Sequence, residues 1–263
     1  MNNSPLYNID NVSFAYDTIP VLNDLCLQLQ RGKFYGIVGP NGCGKTTFLD
    51  LLIGNRSPRS GSISFQGKPL PSYRRRELAH LISLVPQEFD TGFGYTVEEV
   101  VLMGRHPYIK RFGSPSIDDW NHVNRAMETI GIIELKDRYT SELSGGQKQR
   151  AVVARALAQN TDVLIFDEAT SSLDVKYTLQ IFNVARMLAA KKNRTIIAVI
   201  HDLNLAAAYC DEIIFMKDGR IQQYGKTKKV MTPEIILDIF GVNTEVSRDP
   251  FSQTQQVSFQ YWD

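Results

Sequence analysis

Residues 39–46 read GPNGCGKT, and this stretch decides the fold class. It fits the pattern Gly, four residues, Gly-Lys and Ser or Thr, whose backbone N–H groups cradle phosphate. The apolar run 34–38 precedes it and the helical pattern 45–53 follows it, so the stretch has the strand and helix that such a loop requires. Glycines let the backbone turn its N–H groups inward, and the helix adds its positive end. The sequence therefore predicts a phosphate-binding loop at the edge of an α/β sheet.

The residues of this loop have separate expected roles. Lys45 reaches the β- and γ-phosphates, the Thr46 hydroxyl ligates Mg²⁺, and Thr47 bonds another phosphate oxygen. The remaining nucleotide-binding positions are Gly39, Pro40, Asn41, Gly42, Cys43 and Gly44. GTPases, kinases and many ATPases share such a loop, so it indicates only a nucleotide.

Strand and helix signals alternate along the rest of the chain. Continuous apolar runs at 163–166 and 195–200 are typical of strands buried on both faces, whereas 7–14 and 21–29 alternate as half-buried strands do. Between about 88 and 160 strand signals vanish, and helices are expected at 97–103, 118–130 and 145–158. We therefore expect an α/β fold with a mainly parallel sheet core, an N-terminal antiparallel β layer and an inserted helical lobe.

The C-terminal half carries further signals. A helix between the last two buried strands is expected to bury one face, formed by Leu179, Phe182, Ala185 and Leu188. Asp218-Gly219 between two apolar runs predicts a hairpin. The domain boundaries expected are 1–225 for the main domain, with the lobe at about 88–160, and 226–263 for an extension with one helix at 233–240 and a polar tail.

Composition excludes several classes. The 263 residues include 29 basic and 28 acidic side chains, and a net charge of +1 gives no global footprint for nucleic acid, so no nucleic-acid partner is expected. No apolar run is long enough to span a bilayer and residues 1–10 lack a basic segment followed by an apolar stretch, so neither a membrane span nor a secretory signal is expected. Cys26, Cys43 and Cys210 are odd in number and lack metal-ligand spacing, which is typical of reduced thiols.

The run VLIFDE at 163–168 is an apolar strand ending in two acids. Asp167 at the strand tip is placed to hold Mg²⁺, and Glu168 can act as a general base on an attacking water. The alternative, a buried strand that ends in two solvated acids, is common in isolation and is less favoured after a phosphate loop.

The pentapeptide LSGGQ at 143–147 lies between these two motifs, and with it the chain resembles the ABC-type ATPases. By themselves Ser144, Gly145 and Gly146 start a predicted helix, where free N–H groups favour an anion, and a capped helix without a ligand is the alternative. The resemblance implies a P-loop NTPase that forms a head-to-tail homodimer with two ATP molecules at the interface. It also implies that these residues and Gln147 complete the partner subunit's ATP site.

The resemblance covers residues 16–202, motif by motif and in order. It implies that Tyr16 stacks on adenine, that Gln87 belongs to the catalytic site and to the Mg²⁺ ligands, and that Asp174 lies in a loop at the dimer interface. It further implies that His201 is a switch residue near the γ-phosphate. The chain departs from the pattern at Ala169, where the family usually has Pro. The implied chemistry is hydrolysis of ATP with Mg²⁺.

Two softer stretches, LMGRHPY at 102–108 and residues 201–226, resemble the ATPases of iron–siderophore, haem and cobalamin importers. This implies a subunit that is bound peripherally at the cytoplasmic side of the inner membrane. It would power import of an iron complex through separate integral membrane permease subunits, with an external substrate-binding protein as an indirect partner. Haem or cobalamin as cargo remains open, as does a soluble ABC ATPase of cytosolic iron–sulfur cluster assembly. Taken alone, Gly-Arg-His-Pro is also a helix end with a proline stop.

Two surfaces are expected from the same region. The apolar residues after Gln87, namely Phe89, Phe93, Tyr95 and Val97, are expected to dock on a membrane subunit, and packing inside the lobe is the alternative. The run Arg74–Arg76 predicts a solvated basic face, and a role at a membrane surface is the alternative.

Overall fold

The structure, a computed structural model, describes residues 4–89, 94–170 and 173–260. The chain divides into two compact units. The first unit comprises Met1–Arg74 and Thr195–Asp263, and the second comprises Arg75–Arg194. The boundaries expected for domain 1–225, its lobe and the extension stay a prediction.

Strands and helices alternate through the described residues. The strands are β1 (Tyr7–Tyr16), β2 (Ile19–Leu29), β3 (Phe34–Val38), β4 (Ser60–Phe65), β5 (Lys68–Pro69), β6 (Ile82–Val85), β7 (Val163–Asp167), β8 (Thr195–Val199), β9 (Glu212–Lys217), β10 (Arg220–Lys226), β11 (Thr244–Arg248) and β12 (Gln255–Phe259). The helices are α1 (Lys45–Leu52), α2 (Arg75–Leu81), α3 (Val97–Leu102), α4 (Ile117–Ile130), α5 (Gly145–Ala158), α6 (Val175–Lys192), α7 (Leu203–Tyr209), α8 (Thr227–Val230) and α9 (Pro233–Phe240).

The first unit contains two main sheets. One is antiparallel with the order β2-β1-β4-β5, and its alternating strands bury one face, as the sequence predicts. In the other, β3 lies between β8 and β9 and is parallel to both, and β10 is antiparallel to β9. All five residues of β3 and of β8 are buried. Because β3 and β8 run in the same direction, their carboxyl ends lie at one edge of this sheet.

The predicted hairpin is confirmed, and the C-terminal segment differs from the expectation. Asp218 and Gly219 both have positive φ between β9 and β10, as a two-residue hairpin turn requires. The segment read as a polar tail forms the antiparallel pair β11–β12. Val257 of β12 is buried and exchanges two hydrogen bonds with the Asn204 side chain of α7, at 2.7 and 3.3 Å. Gln255 Nε2 also donates to the Met231 carbonyl at 3.1 Å, so contacts with the rest of the first unit order a segment whose composition is mostly polar.

The second unit combines a parallel strand pair, β6–β7, with a helical group. The helices α3, α4 and α5 pack on one another through buried faces. Capping boxes start α3 at Thr96, α4 at Ser116 and α5 at Ser144, and in each the third helical residue is Glu, Asp or Gln. The expected fold class is thus confirmed, with parallel strands, an antiparallel layer and a helical lobe.

One helix face was predicted incorrectly. Phe182, Ala185 and Leu188 of α6 are buried as expected, but Leu179 is 39% exposed. On a helical wheel Leu179 lies about 60° beyond Phe182, outside the buried arc, and Thr178 takes the inner position.

Candidate active site

The phosphate loop follows β3 and ends in α1. Gly44 is the N-cap of α1, with φ of 100°, a left-handed conformation that favours glycine. Lys45, the first residue of α1, is only 5% exposed. Its Nζ donates to the carbonyl oxygens of Gly39 and Pro40, each at 3.0 Å. The ammonium group is therefore held inside the loop by the loop's own backbone.

This loop also packs closely on neighbouring strands. A Cβ at Gly39 would lie 2.1 Å from the carbonyl oxygen of Met216 in β9, and a Cβ at Gly44 would lie 2.6 Å from the Leu22 side chain in β2. Cys43 is buried beside Gly39, and burial raises the pKa of its thiol although the Lys45 ammonium acts in the opposite direction. The loop is thus fixed by steric contact, and its thiol is kept protonated.

The aromatic side chain expected at the nucleotide base lies at the end of β1. The Tyr16 ring is 38% exposed, and its hydroxyl lies 3.4 Å from the Thr47 hydroxyl. The guanidinium of Arg56 lies 4.5 Å from the ring centroid and 3.5 Å from the Asp50 carboxylate of α1. Arg56 was not predicted, because cation–π contact depends on a turn, residues 53–59, whose path the sequence does not give.

The two acids predicted after β7 lie in the second unit. Val85 pairs with Phe166, so the residues that follow β6 and β7 emerge at the same edge of this strand pair. Asp167 ends β7 and is buried, and Glu168 follows with φ of 50°, which is uncommon for a residue other than glycine. Gln87 Nε2 donates to Glu168 Oε2 at 2.8 Å. The structure therefore brings two of the predicted catalytic residues into direct contact.

The donor chemistry of the predicted Mg²⁺ ligands fits that ion. Thr46 offers a hydroxyl, Gln87 an amide and Asp167 a carboxylate, and Mg²⁺ prefers such oxygen ligands. Mg²⁺ in nucleotide sites is held by one or two protein carboxylates together with substrate phosphates, so a single buried acid suffices.

The signature segment is the capped start of α5. Ser144 Oγ accepts from the backbone N–H of Gln147 at 3.3 Å, and the Ser144 N–H donates to the Gln147 side chain at 3.0 Å. A Cβ at Gly145 would meet no atom within 4 Å. The capping expected from Ser-Gly-Gly is confirmed, and nothing in the described part of the chain requires glycine at 145 for packing.

The remaining predicted residues occupy helix starts or strand ends. Asp174 is the N-cap of α6 and accepts from the Tyr177 N–H at 3.0 Å. His201 is exposed between β8 and α7, and its neighbour Asp202 caps α7 through two backbone N–H groups. Ser172, two residues before Asp174, lies outside the described residues.

Residues 104–108, the GRHPY stretch, pack against the helix α5 as well as following the end of α3. A Cβ at Gly104 would lie 2.2 Å from the carbonyl oxygen of Arg155 in α5. Arg105 is buried; its Nε donates to Asp119 Oδ1 and its Nη1 to the Ala158 carbonyl, both at 2.9 Å. The Tyr108 hydroxyl donates to the Gln159 carbonyl, and its ring lies 3.8 Å from the Arg105 guanidinium. The stretch therefore anchors the C-terminal end of the helix that begins with the signature.

The predicted docking surface is partly wrong. Val97 is 1% exposed because it faces the helical core as the first residue of α3. Phe89 is half-buried under the Arg155 guanidinium at 4.2 Å, and Tyr95 is also half-buried. Phe93 lies outside the described residues. The alternative, packing inside the lobe, is correct for Val97.

The fold and the site define a class: a nucleotide-binding α/β cassette with a phosphate loop, a strand ending in Asp-Glu and a signature helix. A family model described as ABC transporter matches residues 22–171, and the chain belongs to this family. Within the part of the chain that the structure describes, no helix is long and apolar enough to cross a membrane.

Relatives and solved structures agree with this assignment. The chain is 40% identical over 230 residues to the cobalamin import ATP-binding protein of Halobacterium salinarum, an alignment that covers 88% of this chain and 57% of that protein. It is 34% identical over 248 residues to the ferric enterobactin transport ATP-binding protein of Escherichia coli, covering 94% and 92% of the two chains. Among solved structures, a metal-chelate type ABC transporter in an inward-facing conformation matches with a TM-score of 0.84 at 28% identity, covering 98% of each chain. A dimeric ATP-binding cassette bound to ADP and phosphate matches with a TM-score of 0.76 at 27% identity, covering 84% of this chain and 98% of that one.

Proposed function

We propose that this chain binds and hydrolyses ATP to power import of an iron complex, a siderophore, through separate integral membrane permease subunits. The observation that carries the ATPase part is the phosphate loop, in which the buried Lys45 ammonium is held between two loop carbonyls. Relatives named for ferric enterobactin and cobalamin import support the transport part. Haem and cobalamin are the competing cargoes.

The loop binds the ATP phosphates. Its backbone N–H groups and the start of α1 attract phosphate oxygens, and the Lys45 ammonium exchanges carbonyl partners for the β- and γ-phosphates. Tyr16 offers a partly exposed ring on which adenine stacks. Thr46, Gln87 and Asp167 would hold Mg²⁺, which supplies neutralisation of phosphate charge when bound.

The chemical step is transfer of the γ-phosphoryl group to water. The water oxygen bonds to the γ-phosphorus as the bond to the β–γ bridging oxygen breaks, and Glu168 takes the proton that the water loses. Gln87 already donates to one oxygen of this carboxylate, so it orients the base while the other oxygen accepts. His201 contacts the γ-phosphate side of the site.

The active species is a head-to-tail homodimer. Ser144, Gly145, Gly146 and Gln147 of one subunit complete the ATP site of the other, and Asp174 lies in a loop at that interface. The open space around a Cβ at Gly145 supports this assignment, because packing within the described chain gives no reason for glycine there. A solved cassette of similar fold is dimeric with ADP and phosphate. The dimer works at the cytoplasmic face of the cell membrane, and an external binding protein delivers the cargo to the permease.

Two variants test the ATPase. Glu168→Gln keeps the shape of the site and removes the base, so we expect ATP binding to persist, a closed dimer to accumulate, and turnover to fall roughly 10²- to 10⁴-fold. Lys45→Ala should weaken ATP binding instead. Phosphate release, nucleotide titration and light scattering separate the two. Near-normal turnover of Glu168→Gln would show that Glu168 is not the general base. Unchanged ATP affinity of Lys45→Ala would show that the loop is not where the ATP phosphates bind.

Partner capture tests the transport part. Tagged Glu168→Gln is purified from native cells in mild detergent with ATP and Mg²⁺, with Lys45→Ala as the control that should not close. A stoichiometric polytopic membrane protein is the expected result. Only soluble partners would contradict the importer and favour a cytosolic assembly ATPase.

A further inference from the structure

The loop that joins the GRHPY stretch to α4 carries an unusual surface. Two of its large apolar side chains have almost no cover: Phe112 is 95% exposed and Ile117 is 82% exposed. Phe112 lies within the turn in which the Gly113 N–H donates to the Lys110 carbonyl at 2.8 Å, and Ile117, five residues further on, is the first residue of α4. Isolated surface apolar groups are ordinary, but two almost fully exposed ones five residues apart indicate a surface that another molecule covers.

Basic side chains surround these two apolar groups. Lys110 and Arg111 precede Phe112, and the Arg111 guanidinium lies 5.6 Å from its ring. Arg76 at the start of α2 donates to the carbonyl oxygens of Pro107 and Ile109, at 2.7 and 2.9 Å, which fixes the base of the loop beside a second basic segment. Its neighbour Arg75 is exposed as well.

The charge on this surface is predominantly positive. Arg75, Arg76, Lys110 and Arg111 contribute four exposed positive charges, against the nearby exposed acids Glu77 and Asp118. Asp118 itself lies 3.6 Å from His122 of the same helix. The chain as a whole carries a net charge of only +1, so this excess is local.

We propose that the segment Lys110–Ile117, which comprises the loop and the first residue of α4, together with Arg75 and Arg76 binds the surface of an anionic lipid bilayer directly. Phe112 in the turn and Ile117 at the start of α4 are both almost fully exposed, so they suit insertion between headgroups better than docking of a peptide. Aromatic and aliphatic side chains with adjacent Lys and Arg are the combination that binds lipid interfaces. Each basic residue near such a surface strengthens binding about fivefold.

This contact is separate from docking on a permease and needs no nucleotide. It would hold the subunit at the membrane and restrict its orientation before the permease is engaged. Its failure is therefore distinguishable from failure of the proposed ATPase, which is read out by phosphate release in solution.

Vesicle sedimentation of the full chain tests the proposal. The probes are vesicles of phosphatidylcholine alone and vesicles of phosphatidylcholine and phosphatidylglycerol in equal parts. We expect binding to the anionic vesicles, weak binding to the neutral ones, and release by added salt, since exposed charges are screened. The triple variant Lys110→Glu, Arg111→Glu, Phe112→Ser should lose roughly tenfold or more of the partition coefficient.

A matched control makes the same change of charge and replaces one exposed phenylalanine elsewhere. Lys228→Glu, Lys229→Glu, Phe251→Ser replaces two exposed lysines and a 96% exposed phenylalanine of the first unit, and it should bind vesicles nearly as the wild type does. If both triple variants lost the same share of the partition coefficient, net charge alone would explain vesicle binding and the proposal would be wrong. Absence of wild-type binding to anionic vesicles would also refute it. Unaltered vesicle binding with lost permease capture in the loop variant would assign the loop to the protein partner instead.

Discussion

The buried ion pair between Arg105 and Asp119 allows a quantitative prediction. The two side chains are 4% and 8% exposed, and the Arg105 Nε lies 2.9 Å from Asp119 Oδ1. Asp119 also accepts from the N–H and the hydroxyl of Ser116, at 2.9 and 2.6 Å, as the third residue of the α4 capping box. Asp119→Asn removes the charge and keeps the volume, so the Arg105 guanidinium stays buried without its counterion.

The expected effect follows from those contacts. Removing one partner of a buried ion pair costs about 3–5 kcal/mol of unfolding free energy. For a chain of this size each kcal/mol shifts Tm by about 2–4 °C, so a fall on the order of 10 °C is expected by calorimetry. Asp118→Asn, one residue earlier and 75% exposed, is the matched control and should change stability by less than about 0.5 kcal/mol.

The pH dependence of stability tests whether the charge of Asp119 is the cause of the expected loss. Burial alone would raise the pKa of Asp119, but hydrogen bonds from Ser116 and Arg105 outweigh it and hold the pKa below its usual value. The carboxylate therefore contributes stability that is present above the unfolded-state pKa of about 4 and is lost as pH falls through the lower folded-state pKa. The gap between wild type and Asp119→Asn should be constant near neutral pH and shrink in acid.

A second variant keeps the prediction testable if the first unfolds. Arg105→Met with Asp119→Leu removes both charges and should recover part of the loss, because apolar replacement of a buried pair is often neutral, whereas Ser116 and the Ala158 carbonyl still lose their partners. The reasoning would be refuted if Asp119→Asn lost less than about 1 kcal/mol of unfolding free energy, or if it lost no more than Asp118→Asn does.

The remaining predictions concern the phosphate loop and its surroundings. Iodoacetamide should label the exposed Cys26 much faster than Cys43. Cys43 is buried and the pKa of its thiol is raised, and alkylation requires the thiolate. Peptide mass spectrometry of the labelled native protein measures the two rates, and rapid labelling of Cys43 would contradict the prediction. Arg56→Ala removes the cation above the Tyr16 ring, worth about 0.5–1 kcal/mol at an exposed site, so ATP affinity should weaken a few-fold in a nucleotide titration. Arg59→Ala, which loses a contact to a backbone carbonyl and none to Tyr16, is the control, and equal effects would exclude a role for the stacked guanidinium.

Sequence patterns predicted most of the regular structure because they report burial directly. The bounds of β3, α5 and α9 agree with the runs expected, since each is a continuous apolar or amphipathic segment bounded by Gly, Pro or a capping Ser. Leu179 was wrong because a residue at the edge of an apolar arc is exposed or covered according to the neighbouring element. β11–β12 were missed because contacts with distant residues hold them, among them the bonds of Val257 to Asn204 and of Gln255 to the Met231 carbonyl.

In the candidate site, local motifs could be predicted from the sequence and contacts between distant residues could not. Phosphate loop, acids and signature are local patterns, so the sequence placed each on the correct strand end or helix start. Contacts between distant residues were not available from the sequence. The hydrogen bond from Gln87 to Glu168 spans 81 residues, and the Arg105 bond to the Ala158 carbonyl spans 53. A buried Arg inside a stretch that also fits a simple helix end gives no signal of its partner.

The steric fit of the phosphate loop limits how mutations there can be suppressed genetically. At position 39 a side chain would strike the carbonyl oxygen of residue 216, and every amino acid has that oxygen, so no change at 216 removes the obstacle. At position 44 the obstacle is the Leu22 side chain, which a smaller residue would withdraw, although the left-handed backbone would still disfavour a substitution. A revertant selection started from Gly39→Ala should therefore return only the original glycine, whereas one started from Gly44→Ala has a second-site route through residue 22.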